Sequence, residues 1–471
     1  MLRKVKDKIN GDLHLKELLK GSSAVFIMRI TGMGFGYVFI LLITRNYGPK
    51  IMGAYVLSLV ILQVGLIIGR LGMDNAILKF VAGYNSQNKK DMVYEVYKKI
   101  IKLITPFAFA ISLIIFFSSP YIAKFIFHKN YLSNYFRIVA IGITPYVLFV
   151  INSESIRGLK FIKRYAFLQY MGIYIAAFVF MGLSLFIVRN NYVPISVYLI
   201  SIIIITLLSF YMLLKEFYSK NFFSHYIMHK RFNSDLKLKE PMSKSTDSNN
   251  IIANNKPDVI SYRNILSVSL PMFISGSLSV FLGLIDITML GVFKTASSVG
   301  VYSVAVKLSS IFILSLTAIN AIAAPKFVEF WTKGDKKGLL KIARQSTKII
   351  FLISLPILTF ILIFPYYILG FFGYEFKAGA FALIMLTLGQ FANAISGSVG
   401  LILNMTGFQL FTQNIMIVSV IINILLNLLL IPKYSIDGAA FASMITFIFW
   451  NLALSIKVKN ILGGWIGFYY K

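Results

Sequence analysis

The sequence predicts an all-α integral membrane protein with about twelve transmembrane helices in two similar halves, and three observations predict this fold class. Of the 471 residues, 58% are hydrophobic and only 14% are charged, whereas about a quarter are charged in a typical soluble domain. Many separate apolar runs reach the roughly 20 residues that a helix needs to cross the hydrocarbon. Short motifs also recur at one fixed offset in the second half of the chain.

The apolar runs define six predicted spans in each half. The segment 1–21 is basic and amphipathic, and we expect it to lie along the inner membrane surface. The stretch 215–263 is polar and lacks helical or strand periodicity, which indicates a cytoplasmic linker. The predicted domains are therefore this N-terminal segment, an N-lobe over 22–214, the linker, a C-lobe over 264–457 and a tail over 458–471. The spans lie near 22–43, 52–70, 100–119, 136–153, 167–188 and 193–214, and near 265–292, 299–323, 347–369, 379–403, 412–431 and 437–456.

The positive charge of the chain predicts its orientation. The net charge is +30, and 34 of the 47 lysines and arginines fall in segments on the same side of the membrane as residue 1, against nine in the loops on the other side. The positive-inside rule then places both termini in the cytoplasm, and we expect a multi-pass protein of the cell membrane. These charges serve topology and contact with anionic lipids, so nucleic acid is excluded as a partner.

Catalytic chemistry is not predicted. A membrane glycosyltransferase or polymerase needs carboxylates beside a sizeable water-facing loop, but the chain has only 17 acidic residues, no DxD motif and short outer loops. It also has no cysteine, which excludes disulfides and thiolate metal sites. We therefore expect no enzyme, no cofactor and no metal centre.

The two halves share an internal repeat. GAYVLSL at Gly53 corresponds to GVYSVAV at Gly300, which lies 247 residues later. LKFV at Lys79 corresponds to PKFV at Lys326, and NKKD corresponds to DKKG, at the same offset. Because each half holds an even number of predicted spans, both enter the membrane from the same side. This predicts two parallel lobes related by a pseudo-twofold axis along the membrane normal, with a transport site at their interface.

Several stretches that contain these motifs carry a family resemblance. TRNYGPKIMGAYVLSLVILQVGLIIGRLGMDNAILKFVAGYNSQNKKD resembles the N-terminal repeat of polysaccharide flippases in the multidrug/oligosaccharidyl-lipid/polysaccharide (MOP) exporter superfamily. IDITMLGVFKTASSVGVYSVAVKLSS, APKFVEFWTKGDKKGLLK and NLLLIPKYSIDGAAFAS resemble the C-terminal repeat. The resemblance implies a MATE-like fold and alternating access. It also implies that an isoprenyl-diphosphate-linked oligosaccharide is exported for cell-surface polysaccharide, with polysaccharide-assembly proteins as further partners.

Two other members of the superfamily stay as alternatives. A cation-coupled multidrug exporter would favour carboxylates inside the membrane. Here two of the three charges deep in the spans are positive, Arg29 and Lys307, and one is negative, Asp286. The peptidoglycan-precursor flippase carries a cavity arginine where Arg29 stands in this chain. Its second arginine in the first helix would fall near Phe35 and Gly36, where this chain has no charge, and it has fourteen spans instead of twelve.

The stretch MRITGMGFGYVF places Arg29 about seven residues inside the first predicted span, roughly 10 Å deep. A guanidinium meets a diphosphate with two charge-assisted hydrogen bonds, so we expect Arg29 to hold such a headgroup; snorkelling to the interface is the alternative. Gly32 and Gly36 form a small-residue face that lets another helix approach. We expect these two glycines and Pro271 to support packing and bending as the lobes move.

Asp286 and Lys307 lie at similar depth on two consecutive antiparallel spans. We expect them to pair or to share a polar cavity, either as a structural ion pair or as a gate that couples transport to H⁺ or Na⁺. Lys307 is also a candidate substrate ligand. Shorter spacings predict interfacial ion pairs between Arg70 and Asp74 and between Glu154 and Arg157. Four polar side chains are expected either to line the cavity or to join helices, namely Gln63, Asn320, Gln390 and Asn393.

Overall fold

The computed structural model describes residues 13–187, 190–218 and 261–467, and the regular elements in these residues are helical. The first half contains α1 (Leu13–Arg70), α2 (Met73–Ser86), α3 (Lys90–Tyr121), α4 (Leu132–Gly158), α5 (Ile162–Ala166), α6 (Ile173–Ile187) and α7 (Val193–Phe217). The second half contains α8 (Tyr262–Phe293), α9 (Ala296–Ser309), α10 (Phe312–Thr332), α11 (Lys336–Ile363), α12 (Pro365–Gly370), α13 (Ala380–Ser396), α14 (Val399–Met405) and α15 (Gln409–Leu462). Two π-helical turns, Ile122–Ile126 and Phe167–Gly172, follow α3 and join α5 to α6.

The predicted domain boundaries fall partly outside the described residues. Of the N-terminal segment, residues 1–12 lie outside them, and α1 begins at Leu13. Of the predicted linker, residues 219–260 lie outside them. The division into domains therefore stays a prediction.

Nine of the described helical segments are long and apolar enough to cross a membrane. The two longest, with 46 and 54 residues, are long enough for two crossings. The apolar part of α1 has 46 residues, or about 69 Å of helix against about 30 Å of hydrocarbon. A non-helical residue interrupts each, Gly48 before Pro49 in α1 and Ser435 in α15. Division of both helices at these residues brings the number of candidate spans closer to twelve. The count of twelve stays a prediction.

The outer surface of the helix bundle is apolar. Large side chains project outward from several helices, with exposed fractions of 70% for Phe117, 92% for Phe186 and 67% for Leu429. Such a surface is unfavourable in water and suits the hydrocarbon of a bilayer. The predicted class, an all-α multi-pass membrane protein, is confirmed.

The two halves meet where α1 crosses α9. A β-carbon on Gly53 would lie 1.7 Å from the Ala296 carbonyl oxygen, and one on Gly300 would lie 2.1 Å from the Pro49 carbonyl oxygen. Ala296 follows Pro49 by the same 247 residues that separate the two glycines, so the contact is reciprocal. A twofold axis produces such a contact between equivalent residues. The internal repeat therefore appears in the fold as a pseudo-twofold axis between α1 and α9.

Two cationic side chains also join the halves near this crossing. Arg45 donates from Nε to the Phe371 carbonyl oxygen at 2.6 Å. Lys129 donates from Nζ to the carbonyl oxygens of Gly291, at 2.7 Å, and Phe127, at 2.8 Å. The charge bias predicts that this end of the bundle is the outer one. The halves are thus closed at the predicted outer end.

Candidate substrate-binding cleft

A cavity of about 270 Å³ lies between the two halves. Arg29 faces it from α1, and Lys307 faces it from α9. Arg29 precedes Arg45 by 16 residues on the same arm of α1, so the cavity lies about 24 Å from the closed end. The other lining residues are Met33, Gln169, Tyr170, Tyr174, Ser310, Ile313 and Leu314.

Both cations lie over tyrosine rings. The guanidinium carbon of Arg29 is 5.5 Å from the centre of the Tyr170 ring, and Nζ of Lys307 is 5.7 Å from the Tyr37 ring and 5.8 Å from the Tyr174 ring. In the described part of the chain, no carboxylate lies within ion-pair distance of Arg29 or Lys307. An aromatic face contributes about 0.5–2 kcal/mol to a cation. Both cations therefore remain open to an anionic ligand.

Gly32 brings α1 against the second π-helical turn. A β-carbon on Gly32 would lie 1.9 Å from the Tyr170 carbonyl oxygen, so only glycine allows this approach. The contact holds the Tyr170 ring beside Arg29, which is one helical turn earlier on α1. A β-carbon on Gly36 would lie 3.4 Å from the Tyr174 ring, which is an ordinary contact distance, and nothing lies within 4 Å of a β-carbon on Gly34.

The π-helical turn itself aligns tyrosines along one side of the chain. In an α-helix, residues five apart point in directions that differ by about 140°. Across Phe167–Gly172 each helical turn contains more residues, and the centres of the Tyr165 and Tyr170 rings lie 6.3 Å apart at an interplanar angle of 79°. Sequence reasoning missed Gln169, Tyr170 and Tyr174, because an α-helical period does not predict that these side chains face one cavity.

The predicted ion pair between Asp286 and Lys307 is not formed. The Asp286 carboxylate instead accepts hydrogen bonds from the Tyr302 hydroxyl at 2.7 Å, from Nδ2 of Asn427 at 2.6 Å and from the Ser443 hydroxyl. Lys307 lies five residues after Tyr302, which turns it about 140° around α9. It therefore faces the cavity while Tyr302 faces Asp286, and the two charges belong to different sites.

Asp286 lies in a polar cluster formed by α8, α9 and α15. Nδ2 of Asn427 also donates to Oδ1 of Asn423 at 3.0 Å, while Oδ1 of Asn427 is buried without a hydrogen-bond partner among the described residues. The groups that donate to Asp286 are neutral, so they leave the charge of an ionised carboxylate uncompensated.

Four further predicted site residues are not among the described residues that line this cavity. Gln63 lies beside the Tyr146 hydroxyl inside the first half. Asn320 accepts a hydrogen bond from the Ser398 hydroxyl. Gln390 and Asn393 are half-buried on α13. Pro271 falls within α8, but its side chain lies outside the described residues.

The two shorter predicted ion pairs are confirmed. Nη1 of Arg70 lies 2.9 Å from Oδ2 of Asp74. Nη1 of Arg157 lies 3.3 Å from Oε2 of Glu154. Glu154 and Arg157 lie on one face of α4. Arg70 is the last residue of α1 and Asp74 lies in the first turn of α2, so this pair spans the turn between the two helices.

A family model described as "Polysaccharide biosynthesis protein" matches residues 18–331, about two thirds of the chain. The chain belongs to this family. A second model, described as "MatE", matches residues 271–429. The resemblance to polysaccharide flippases of the MOP superfamily is thereby confirmed.

Two relatives of the chain come from archaea. An uncharacterized membrane protein of Methanocaldococcus jannaschii is 26% identical over 431 residues, which cover 86% of this chain and 77% of the relative. The probable low-salt glycan biosynthesis flippase Agl15 of Haloferax volcanii is 26% identical over 193 residues, 41% of each chain. The second match therefore spans about two fifths of either protein.

Solved structures share the fold of this family member over nearly its whole length. An inward-facing MATE transporter of the MOP superfamily superposes with a TM-score of 0.71 at 13% identity, covering 93% of this chain and 98% of the other. The lipid II flippase MurJ in an inward closed conformation superposes with a TM-score of 0.66 at 16% identity, covering 94% of this chain and 87% of MurJ. An outward-facing MATE transporter superposes with a TM-score of 0.57 at 14% identity, covering 95% of this chain and 97% of the other. The fold is that of MATE and MurJ transporters.

Proposed function

We propose that this protein is a flippase that moves an isoprenyl-diphosphate-linked oligosaccharide from the cytoplasmic to the outer leaflet for cell-surface polysaccharide synthesis. The observation that carries the proposal is a single cavity that Arg29 and Lys307 face from opposite halves, without carboxylate partners among the described residues. Arginine binds a phosphate through two parallel hydrogen bonds, and lysine binds it as a point charge. A diphosphate has two phosphate groups, so one can bind Arg29 while the other binds Lys307.

Alternating access follows from where these cations lie. The halves touch at the end that we assign to the outside, and the cavity lies toward the end that we assign to the cytoplasm. A diphosphate that contacts both cations stabilises the state in which the two halves approach at the inner end, since a ligand shifts an equilibrium toward the state it binds better. The outer contact then opens, the glycan leaves to the outside and the isoprenyl tail stays in lipid throughout.

Asp286 is the candidate site for coupling to H⁺ or Na⁺. Three neutral donors hold its carboxylate, and Oδ1 of Asn427 beside it lacks a partner in the described residues. A bound proton or Na⁺ would compensate the charge. Transport in proteoliposomes should therefore depend on a Na⁺ or pH gradient, and Asp286→Asn should abolish that dependence. A gradient response that is equal in both proteins would rule out this role.

The residues that line the cavity also distinguish the proposed flippase from a multidrug exporter. The MatE match and the fold are compatible with drug export. A site for cationic drugs needs a carboxylate, but the lining includes two cations and no acidic side chain among the described residues. The cavity therefore favours an anionic substrate. The proposed activity is transport and involves no catalysis.

A genetic experiment tests the proposed function. Deletion of the gene in its native host should cause lipid-linked oligosaccharide to build up on the cytoplasmic leaflet. A plasmid copy should relieve the build-up, Arg29→Ala should fail to relieve it at equal expression, and Arg29→Lys should relieve it in part. Lys341→Ala is the matched control, because Lys341 is exposed and does not line the cavity. Absence of build-up, or full relief by Arg29→Ala, would refute the proposal.

A further inference from the structure

The cavity has room for only part of the proposed substrate. Its volume of about 270 Å³ falls below the roughly 300–1,000 Å³ of sites that enclose a whole small ligand. If a diphosphate occupies Arg29 and Lys307, the sugars attached to it lie beyond the cavity. On the proposed function, the surface next to the cavity is where the sugars would meet the protein.

A row of aromatic rings continues from the cavity along that surface. Tyr170 and Tyr174 line the cavity, whereas Tyr165 does not. The Tyr165 ring packs edge to face on Tyr170 at 6.3 Å, so it extends the row beyond the cavity wall. The π-helical turn Phe167–Gly172 produces this alignment, and such turns occur frequently at functional sites.

Charged groups surround the far end of the row. The guanidinium carbon of Arg157 lies 5.1 Å from the centre of the Tyr165 ring. The Glu154 carboxylate lies beside the Tyr165 hydroxyl and 3.3 Å from Nη1 of Arg157. About half of the Arg157 side chain is exposed, at 46%. Tyr165 is partly exposed as well, whereas the Glu154 side chain is only 14% exposed. Tyr165 and Arg157 can therefore reach a ligand, with Glu154 behind them.

We propose that Tyr165, Glu154 and Arg157 form a sugar subsite, which binds the sugar next to the diphosphate while Tyr170 connects it to the cavity. This inference rests on the proposed function. A pyranose ring has an apolar face of C–H groups, which stacks on an aromatic ring, and an edge of hydroxyls. The exposed Arg157 guanidinium donates hydrogen bonds to those hydroxyls. The Glu154 carboxylate bonds to Arg157 and to the Tyr165 hydroxyl and so positions both.

The subsite assigns separate tasks to two parts of one surface. The cations bind the diphosphate, which every isoprenyl-diphosphate carrier shares. Tyr165 and its neighbours bind the sugar, which differs between glycans. Loss of the Tyr165 ring should therefore weaken binding only when a sugar is present.

Binding to the purified full chain in lipid nanodiscs tests this division. The two probes are an isoprenyl diphosphate without sugar and the lipid-linked oligosaccharide extracted from the deletion strain. We expect the wild-type protein to bind the glycosylated probe about tenfold more tightly, as one stacked ring would provide. Tyr165→Leu should remove that preference and leave the affinity for the bare diphosphate unchanged. Tyr211→Leu, at an exposed position on α7, should change neither affinity.

Each outcome separates this inference from the proposed function. If the wild-type protein binds neither probe, the proposed function fails. If it binds both, and Tyr165→Leu weakens both equally or neither, the sugar subsite is refuted while the function stands. Tyr165→Trp is the control in case Tyr165→Leu fails to fold. It keeps an aromatic ring, so it should keep the preference for the glycosylated probe. A loss of preference in Tyr165→Trp as large as in a folded Tyr165→Leu would also refute the subsite.

Discussion

Arg29 and Lys307 are costly residues in a membrane-spanning region. A cationic side chain at the centre of a membrane helix costs about 2.5–3.5 kcal/mol on insertion scales, and the tyrosine faces offset about 0.5–2 kcal/mol of this. Within the described residues no carboxylate pairs with Arg29 or Lys307. A bound diphosphate would offset the remaining cost, which gives both residues a physical reason to be there.

The close approach at Gly32 gives a prediction at this scale. Gly32→Ala places a methyl group 1.9 Å from the Tyr170 carbonyl oxygen, so α1 must shift. We expect the free energy of unfolding to fall by about 1–3 kcal/mol and the affinity for isoprenyl diphosphate to fall with it. Thermal unfolding and binding of the purified protein measure both effects.

Gly34→Ala is the matched control, because no atom lies within 4 Å of its added β-carbon. It should retain the wild-type affinity and should not lower the melting temperature, since alanine favours a helix more than glycine does. Equal losses in the two variants would show that the contact with Tyr170 does not position Arg29.

Some residues of the cavity could be predicted from the sequence and others could not. A lone cation in an apolar run stands out, so Arg29 and Lys307 were identifiable. A polar residue in a span does not reveal which side of its helix meets which neighbour, and Gln63 and Asn320 have partners away from the cavity. Tyr170 was not identifiable, because a π-helical turn changes the helical phase without a sequence signal.

At the scale of elements, one carboxylate joins three helices in the second half. Asp286 on α8 accepts hydrogen bonds from Tyr302 on α9 and from Asn427 and Ser443 on α15. Antiparallel order in the sequence predicted that α8 and α9 lie side by side. It could not predict that α15, more than a hundred residues later, would supply the partners of Asp286.

Removal of one donor tests whether this cluster stabilises the second half. A hydrogen bond to a charged group contributes about 1.5–3 kcal/mol, so Tyr302→Phe should lower the free energy of unfolding by that amount. In an Asp286→Ala background the same substitution should have little effect. Tyr366→Phe, an exposed tyrosine on α12, is the control. An equal cost of Tyr302→Phe in both backgrounds would contradict the assignment.

At the scale of the whole molecule, the repeat and the closure of the halves are related. The reciprocal contact of Gly53 and Gly300 lies on the pseudo-twofold axis. Repeated motifs at one offset predicted this axis, because similar sequences form similar lobes. The sequence did not predict which conformation the lobes adopt, because Arg45 and Lys129 bond to backbone carbonyl groups across the interface, which no sequence motif identifies.

Those contacts predict how the outer end responds to mutation. Each hydrogen bond contributes about 1 kcal/mol, so Arg45→Ala with Lys129→Ala should increase the outward-open population roughly thirtyfold. Spin labels on Asn134→Cys and Glu375→Cys, both exposed near the closed end, report the distance between the halves. The absence of native cysteine restricts labelling to these positions.

The control for this measurement is Lys124→Ala. Lys124 lies near the same end but contacts Phe125 of its own half, so its loss should leave the distance distribution unchanged. A double variant of Arg45 and Lys129 that keeps the wild-type distribution would show that these contacts do not hold the outer end closed.

The central claim is that the cleft between the halves binds a diphosphate through Arg29 and Lys307, and translocation in proteoliposomes tests it most directly. The measurement follows lipid-linked oligosaccharide that becomes accessible in the opposite leaflet. With charge-assisted bonds of about 1.5–3 kcal/mol each, Arg29→Ala with Lys307→Ala should slow translocation about 100-fold or more, whereas Lys341→Ala should match the wild-type rate. Translocation by the double variant at the wild-type rate would contradict the claim.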